Sequence, residues 1–369
     1  MNFKLLKSIF ILFAGLSSAT SFADNHLDPS ATLRYWTPER LREAKELTPK
    51  IDPNRIKKIS LEELLTEQQG AKPVSSNPSP PKMDVKPAIN YLYQPRAKKI
   101  ASQAKSFDQG ALNEPYSSSA LIPAAANLVY PYRTVGKLFF TIPGQGNFAC
   151  SASAISNRIV LTAGHCVHSG VNGNSGFYTN FLFVPAFNNG NAPYQSWAAS
   201  FVAATSVWMN SGGVLPNAAD FGMLEMVDQT INGTVSRIGT VIGFLGFLTQ
   251  SLMPNHVLML GYACNLDSCQ QMHQVSSQSA AAISPSNVQY GSDMLGGSDG
   301  GPWVQNFGVA SSGQTGSGTS ASFANRVVGV TSIGLLDSTQ KGLMSSIIDN
   351  TNFLGLFNSI CAHQANNCS

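Results

Sequence analysis

The chain has 369 residues, 43% of them hydrophobic and 12% charged, which is enough apolar material for one large domain or two modest ones. Its formal net charge is only +3, and no Lys/Arg cluster is interleaved with aromatics, so a nucleic-acid groove is excluded. All six cysteines lie beyond residue 149 in three near-neighbour pairs, Cys150 and Cys166, Cys264 and Cys269, Cys361 and Cys368. An even count in an exported chain points to disulfides, and the spacings lack the C-x-x-C clusters of zinc domains, so no metal is expected.

Residues 1–23 place Lys4 and Lys7 ahead of an apolar run that ends in Ser21, Phe22 and Ala23, the pattern of a removable export signal. The run is too short, and too broken by Ser17, Ser18 and Thr20, to read as a membrane span; no membrane association is expected after its removal. The composition then divides near residue 126. Of the charged residues, 27 fall in 24–126 and 14 in the longer stretch 127–369. Within the first stretch, Thr37 and Pro38 open a helical pattern carried by Leu41, Ala44 and Leu47. Ser60 and Glu63 form a capping box before Leu64 and Leu65, closed by Gly70. A proline-containing polar run near residues 72–87 follows, suited to an extended linker. The whole of 24–126 is expected to be a pro-segment or spacer without a core of its own.

Beyond residue 130 the pattern becomes short β-type runs (KLFFTI, ACSASAI, RIVLTA, FLFVPAF, FGMLEM, RIGTVIGFL, HVLMLGYA, RVVGVTSIG) separated by Gly, Asn, Pro and Ser. Such spacing predicts an all-β sandwich or barrel, and NFLGLFNSI near the end predicts one terminal helix.

The strand leading into Thr162, Ala163, Gly164, His165 and Cys166 resembles the histidine signature of the trypsin-like serine endopeptidases, bacterial type close to the glutamyl endopeptidases. The resemblance covers about residues 131–360. It implies two six-stranded antiparallel β-barrels, a disulfide from Cys150 to Cys166, and His165 as general base. Proximity pairs the remaining cysteines as Cys264 with Cys269 and Cys361 with Cys368. Asp220, immediately before an alternating apolar strand, matches the acid that orients the imidazole; Asp228 is the competing carboxylate.

The nucleophile loop departs from the family. Aligning Gly300, Gly301 and Pro302 on the Gly-Gly-Pro of the signature puts Asp299 at the nucleophile position and Ser298 one residue before it, the alternative nucleophile. Gly297 is the implied oxyanion donor, Asp293 the base of the specificity pocket, and Ser332 and Gly334 the strand that meets substrate backbone. Residues 132–136 loosely resemble an activation junction or are simply the lead-in to the first strand. A carboxylate at 299 offers no hydroxyl, pairs with a protonated His165 and opposes a developing oxyanion. Residues 296–300 also spell G-x-S-x-G, which with Asp349 and His363 would give an α/β-hydrolase esterase using Ser298. That elbow has to open a helix, whereas Pro302 and its β-type surroundings predict a strand.

The expectation is therefore a signal peptide (1–23), a spacer (24–126) and a monomeric trypsin-like domain (127–369), secreted or periplasmic and without cofactor. It acts on or binds a peptide or protein, either as an endopeptidase of doubtful turnover or as an inactive pseudoprotease.

Overall fold

The computed structural model describes residues 26–47, 49, 51, 56–67, 72–95, 115–250, 252–308, 324–334 and 341–368. The expected signal at 1–23 and Gly70 fall outside them. The N-terminal segment contributes helices α1 (Pro29–Tyr35), α2 (Pro38–Glu43) and α3 (Leu61–Glu67), with strands β1 (Lys45–Glu46), β2 (Lys57–Ile59) and β3 (Tyr116–Ala120). Thr37 caps α2 by accepting from Arg40 N–H. The predicted capping box is present at α3: Ser60 N–H donates to Glu63 Oε2 at 2.7 Å, and Glu63 N–H to Ser60 Oγ at 3.1 Å.

Six strands follow: β4 (Val135–Ile142), β5 (Gly146–Ala154), β6 (Ile159–Thr162), β7 (Thr179–Pro185), β8 (Trp197–Ala204) and β9 (Gly222–Met226). They pair in the order β5-β4-β7-β8-β9-β6, and β6 returns to β5, which closes a six-stranded barrel. Alternation along β4 sends Leu138, Phe140 and Ile142 to the interior, with Phe183, Trp197 and Val202. Phe139 faces outward into a separate cluster with Trp36 of the N-terminal segment, ring centroids 5.6 Å apart. Covering of the outer face by the segment explains why β4 is buried almost throughout.

A small hairpin, β10 (Gln229–Ile231) with β11 (Thr234–Ser236), and helices α4 (Ser206–Met209), α5 (Ile238–Ile242) and α6 (Cys264–Asp267) lie among the connections. The second sheet comprises β12 (Gly246–Phe247), β13 (His256–Gly261), β14 (His273–Ser284), β15 (Asn287–Gly291), β16 (Pro302–Gln305), β17 (Arg326–Val330), β18 (Ile333–Gly334) and β19 (Gly342–Ser346), before the terminal helix α7 (Asn352–His363). Its order is β12-β17-β16-β13-β14-β15-β19-β18, with β2 and β3 of the N-terminal segment added along β14.

The expected second closed barrel is not what forms. Among the described residues no ladder joins β17 to β19; where they meet, Val330 N–H donates to the side chain of Ser345 at 2.9 Å. A hydroxyl there takes a backbone donor that closure would give to a carbonyl. Among the described residues the fold is thus mostly β, with one closed barrel, an open second sheet and seven α-helices. No helix of the described residues is long and apolar enough to cross a membrane.

The N-terminal segment inserts its apolar side chains into clusters of both halves. Trp36 and Leu41 join the outer face of the barrel and Leu64 the core of the second sheet. Burying each such side chain stabilises the docked segment by roughly 2 to 3 kcal/mol. The three disulfides pair Cys150 with Cys166, Cys264 with Cys269 and Cys361 with Cys368.

Candidate active site

The end of β6 and the short helical turn after it carry His165, and the residues just before β9 carry Asp220. Both are buried. Asp220 holds the imidazole at two points: its Oδ2 lies 2.7 Å from Nδ1, and its Oδ1 accepts from the His165 backbone N–H at 2.8 Å. Ser332 Oγ donates to the same Oδ2 at 2.5 Å, a role for its side chain beside the substrate-facing strand expected of residues 332–334. These bonds fix a ring whose Nε2 has no hydrogen-bond partner and faces the loop at 293–301. Asp228, the competing acid, is engaged by Arg158 at 2.7 Å through both oxygens.

That loop is bound tightly to the barrel. Ser151 donates its N–H to Asp299 O and its hydroxyl to Gly297 O, both at 2.8 Å, and accepts from Tyr262 N–H. Two glycines permit the close approach. Gly297 has φ +90°, and a Cβ on it would sit 2.6 Å from Tyr262 O; Gly300 has φ +79°, with Thr162 Oγ1 2.0 Å from the same point. The role of Ser151 was not legible, since it lies within an unremarkable run of small residues.

Asp299 is 2% exposed, with Oδ1 3.7 Å from His165 Nε2 and Oδ2 buried without a partner. Burial pushes its carboxyl up to about 7, against the His165 charge and the backbone N–H groups of Asp299 and Gly297, which favour the charged form. For His165 burial works downward, but the charge and hydrogen bond of Asp220 and the charge of Asp299 outweigh it, and its pKa is raised. No hydroxyl faces the imidazole: Ser298 Oγ donates to Leu295 O at 2.8 Å.

Asp293 lies between β15 and this loop, with one carboxylate oxygen buried and unpartnered and its carbonyl accepting from Asn265 at 2.8 Å. The Arg133 side chain is buried against the carbonyls of Val241 and Ile242, and Val135 opens β4, so residues 132–136 are a lead-in to that strand. The esterase constellation does not assemble. Asp349 accepts from the N–H groups that start α7, His363 pairs with Glu225 at 2.7 Å, and the 296–300 loop enters β16, a strand.

A glutamyl endopeptidase from Bacillus licheniformis is 27% identical over 256 residues, spanning 62% of this chain and 72% of that protein. The crystal structure of the protease Anisep from Arthrobacter nicotinovorans superposes with a TM-score of 0.50 at 26% identity, over 62% of this chain and 96% of that one. The chain is a homologue of the bacterial trypsin-like serine proteases. An extracellular metalloprotease from Bacillus subtilis is also 24% identical over 123 residues, 35% of that protein. No family model matches the sequence. Relationship to trypsin-like proteases accounts for the paired His165 and Asp220 on the closed barrel and the glycine-rich loop facing them from the second sheet.

Proposed function

We propose that this trypsin-like protein is exported, to the periplasm or the medium, and binds a peptide or protein at the cleft between barrel and second sheet without hydrolysing it. In this reading residues 1–23 are removed, 24–126 form an accessory segment, and 127–369 form the protease-like domain. Asp299 occupies the nucleophile position, His165 and Asp220 are the remnant of the base and its orienting acid, and Asp293, Ser332 and Gly334 line the specificity side.

One observation carries the reading. The Asp299 carboxylate lies against His165 Nε2 and the N–H groups of Gly297 and residue 299, the place where acyl transfer needs a hydroxyl and an empty oxyanion site. A carboxylate there repels the charge that develops on a tetrahedral oxyanion. Ser298 supplies no substitute while its hydroxyl is held by Leu295 O.

The test is recovery of ligand intact. Peptides retained by the immobilised full-length protein from a protein digest, eluted after hours at neutral pH and read by mass spectrometry, should be unshortened. Accumulation of new termini at a consistent residue type would instead establish an active endopeptidase.

A further inference from the structure

Next to the candidate site, a cavity of about 670 Å³ lies between the N-terminal segment and the second sheet. Arg42, Glu46 and Tyr93 line it on one side, Leu295 and Gly296 on the other. Lys137 of β4 lines it as well, although its side chain is 3% exposed overall.

Lys137 is short of acceptors. Its Nζ donates to Cys269 O at 3.1 Å and packs 5.0 Å from the ring centres of Phe139 and Phe187. An ammonium has three donors, and among the described residues no carboxylate lies within 4.0 Å of this one. Burial lowers its pKa to about 8, while Asp267 and Glu46 favour the charge from a distance, so it is mainly protonated at neutral pH. A buried cation with unused donors is costly unless an anion reaches it. At the rim, Arg42 donates its Nε to Gln94 O at 3.3 Å and packs its guanidinium 5.7 Å from the Tyr93 ring centre, and among the described residues its terminal nitrogens make no hydrogen bond.

The chain path limits what can enter. β1 runs parallel to β5 on its free edge, Lys45 opposite Phe148 and Glu46 opposite Ala149, and Leu47 N–H reaches Ala149 O at 3.4 Å. Two residues further on, Ser151 N–H binds Asp299 O. A peptide extended from the 295–299 loop along β5 therefore meets β1 almost at once and has nowhere to continue. A chain that stops there leaves its terminal group at the cavity, where the cations Lys137 and Arg42 favour a carboxylate over an amine.

We propose that this cavity receives the C-terminal carboxylate of a bound peptide, with Lys137 and Arg42 as its partners. The assignment rests on the peptide-binding reading above, to which it adds an end-specificity. Charge-assisted bonds to two cations, one of them buried, favour the acid over an uncharged terminus by about tenfold.

An equimolar mixture of randomised short peptides, half with a free C-terminal carboxylate and half amidated, is offered to the immobilised full-length protein, and the retained fraction is read by mass spectrometry. The wild type should enrich free acids about tenfold over amides. Arg42→Gln should lower that ratio at least threefold, and Lys137→Met should bring it close to one; Arg42, on the surface, carries the test if Lys137→Met does not fold. Equal retention of acids and amides by the wild type, or an unchanged ratio in Arg42→Gln, overturns the end-specificity while leaving peptide binding intact. Retention of neither class overturns both readings. Displacement of retained acids by equimolar acetate or inorganic phosphate would reduce the cavity to a general anion site and overturn the peptide assignment.

Discussion

Asp299→Ser is expected to create the peptide-bond hydrolysis that the proposed function denies to the wild type. His165 is already oriented by Asp220, Asp220 is supported by Ser332, and the loop is anchored through Ser151, so the hydroxyl is the missing part. Removing a nucleophile from enzymes of this chemistry costs about 10⁶ in turnover, which sets the ceiling for the reverse change. A gain of at least about 10³ in kcat/KM over the wild type, below that ceiling, is the expected result with fluorogenic peptides. A folded Asp299→Ser protein as inert as the wild type would show that the cleft has lost more than a hydroxyl.

The second large effect is on stability. The Asp299 carboxyl titrates at about 7 in the fold against 3.8 in the open chain, so the fold favours its protonated form. Stability from this group is complete below about pH 4 and is lost as pH rises through about 7. The net shift, in which the His165 charge already offsets part of the effect of burial, corresponds to about 4 kcal/mol against the ionised form. Asn at 299 cannot ionise. Asp299→Asn should therefore match the wild type near about pH 4 and exceed it by a few kcal/mol near about pH 8, read from denaturant midpoints across that range. A difference that stays constant with pH would mean that the carboxylate is adequately solvated or paired in the fold.

What was legible in the sequence follows from how local each feature is. Thr162 to Cys166, Asp220 and the run from Gly296 to Pro302 lie at strand ends and in a tight turn, where neighbours in sequence fix the geometry, and the structure brings all three together. The two capping motifs are likewise set within four residues. Closure of the second sheet was not legible, because it depends on whether Val330 meets a carbonyl or the hydroxyl of Ser345 across 15 residues. The docking of β2 and β3 on β14 was hidden as well. Lys57 and Lys58 read as spacer composition, and only their distant partners Ser284 and Ile283 make them a strand. Lys137 passed as one polar residue in the run KLFFTI, since no sequence signal marks a lysine that the N-terminal segment and α6 will enclose.

No activated serine is expected in this site. This expectation is tested most directly by incubating the wild type with a serine-directed peptidyl phosphonate and measuring its intact mass, alongside Ser298→Ala and Asp299→Ser. The expected result is an unmodified wild type and a single adduct on Asp299→Ser, mapped to residue 299. A stoichiometric adduct on the wild type that disappears in Ser298→Ala would contradict it, and would make Ser298 the nucleophile.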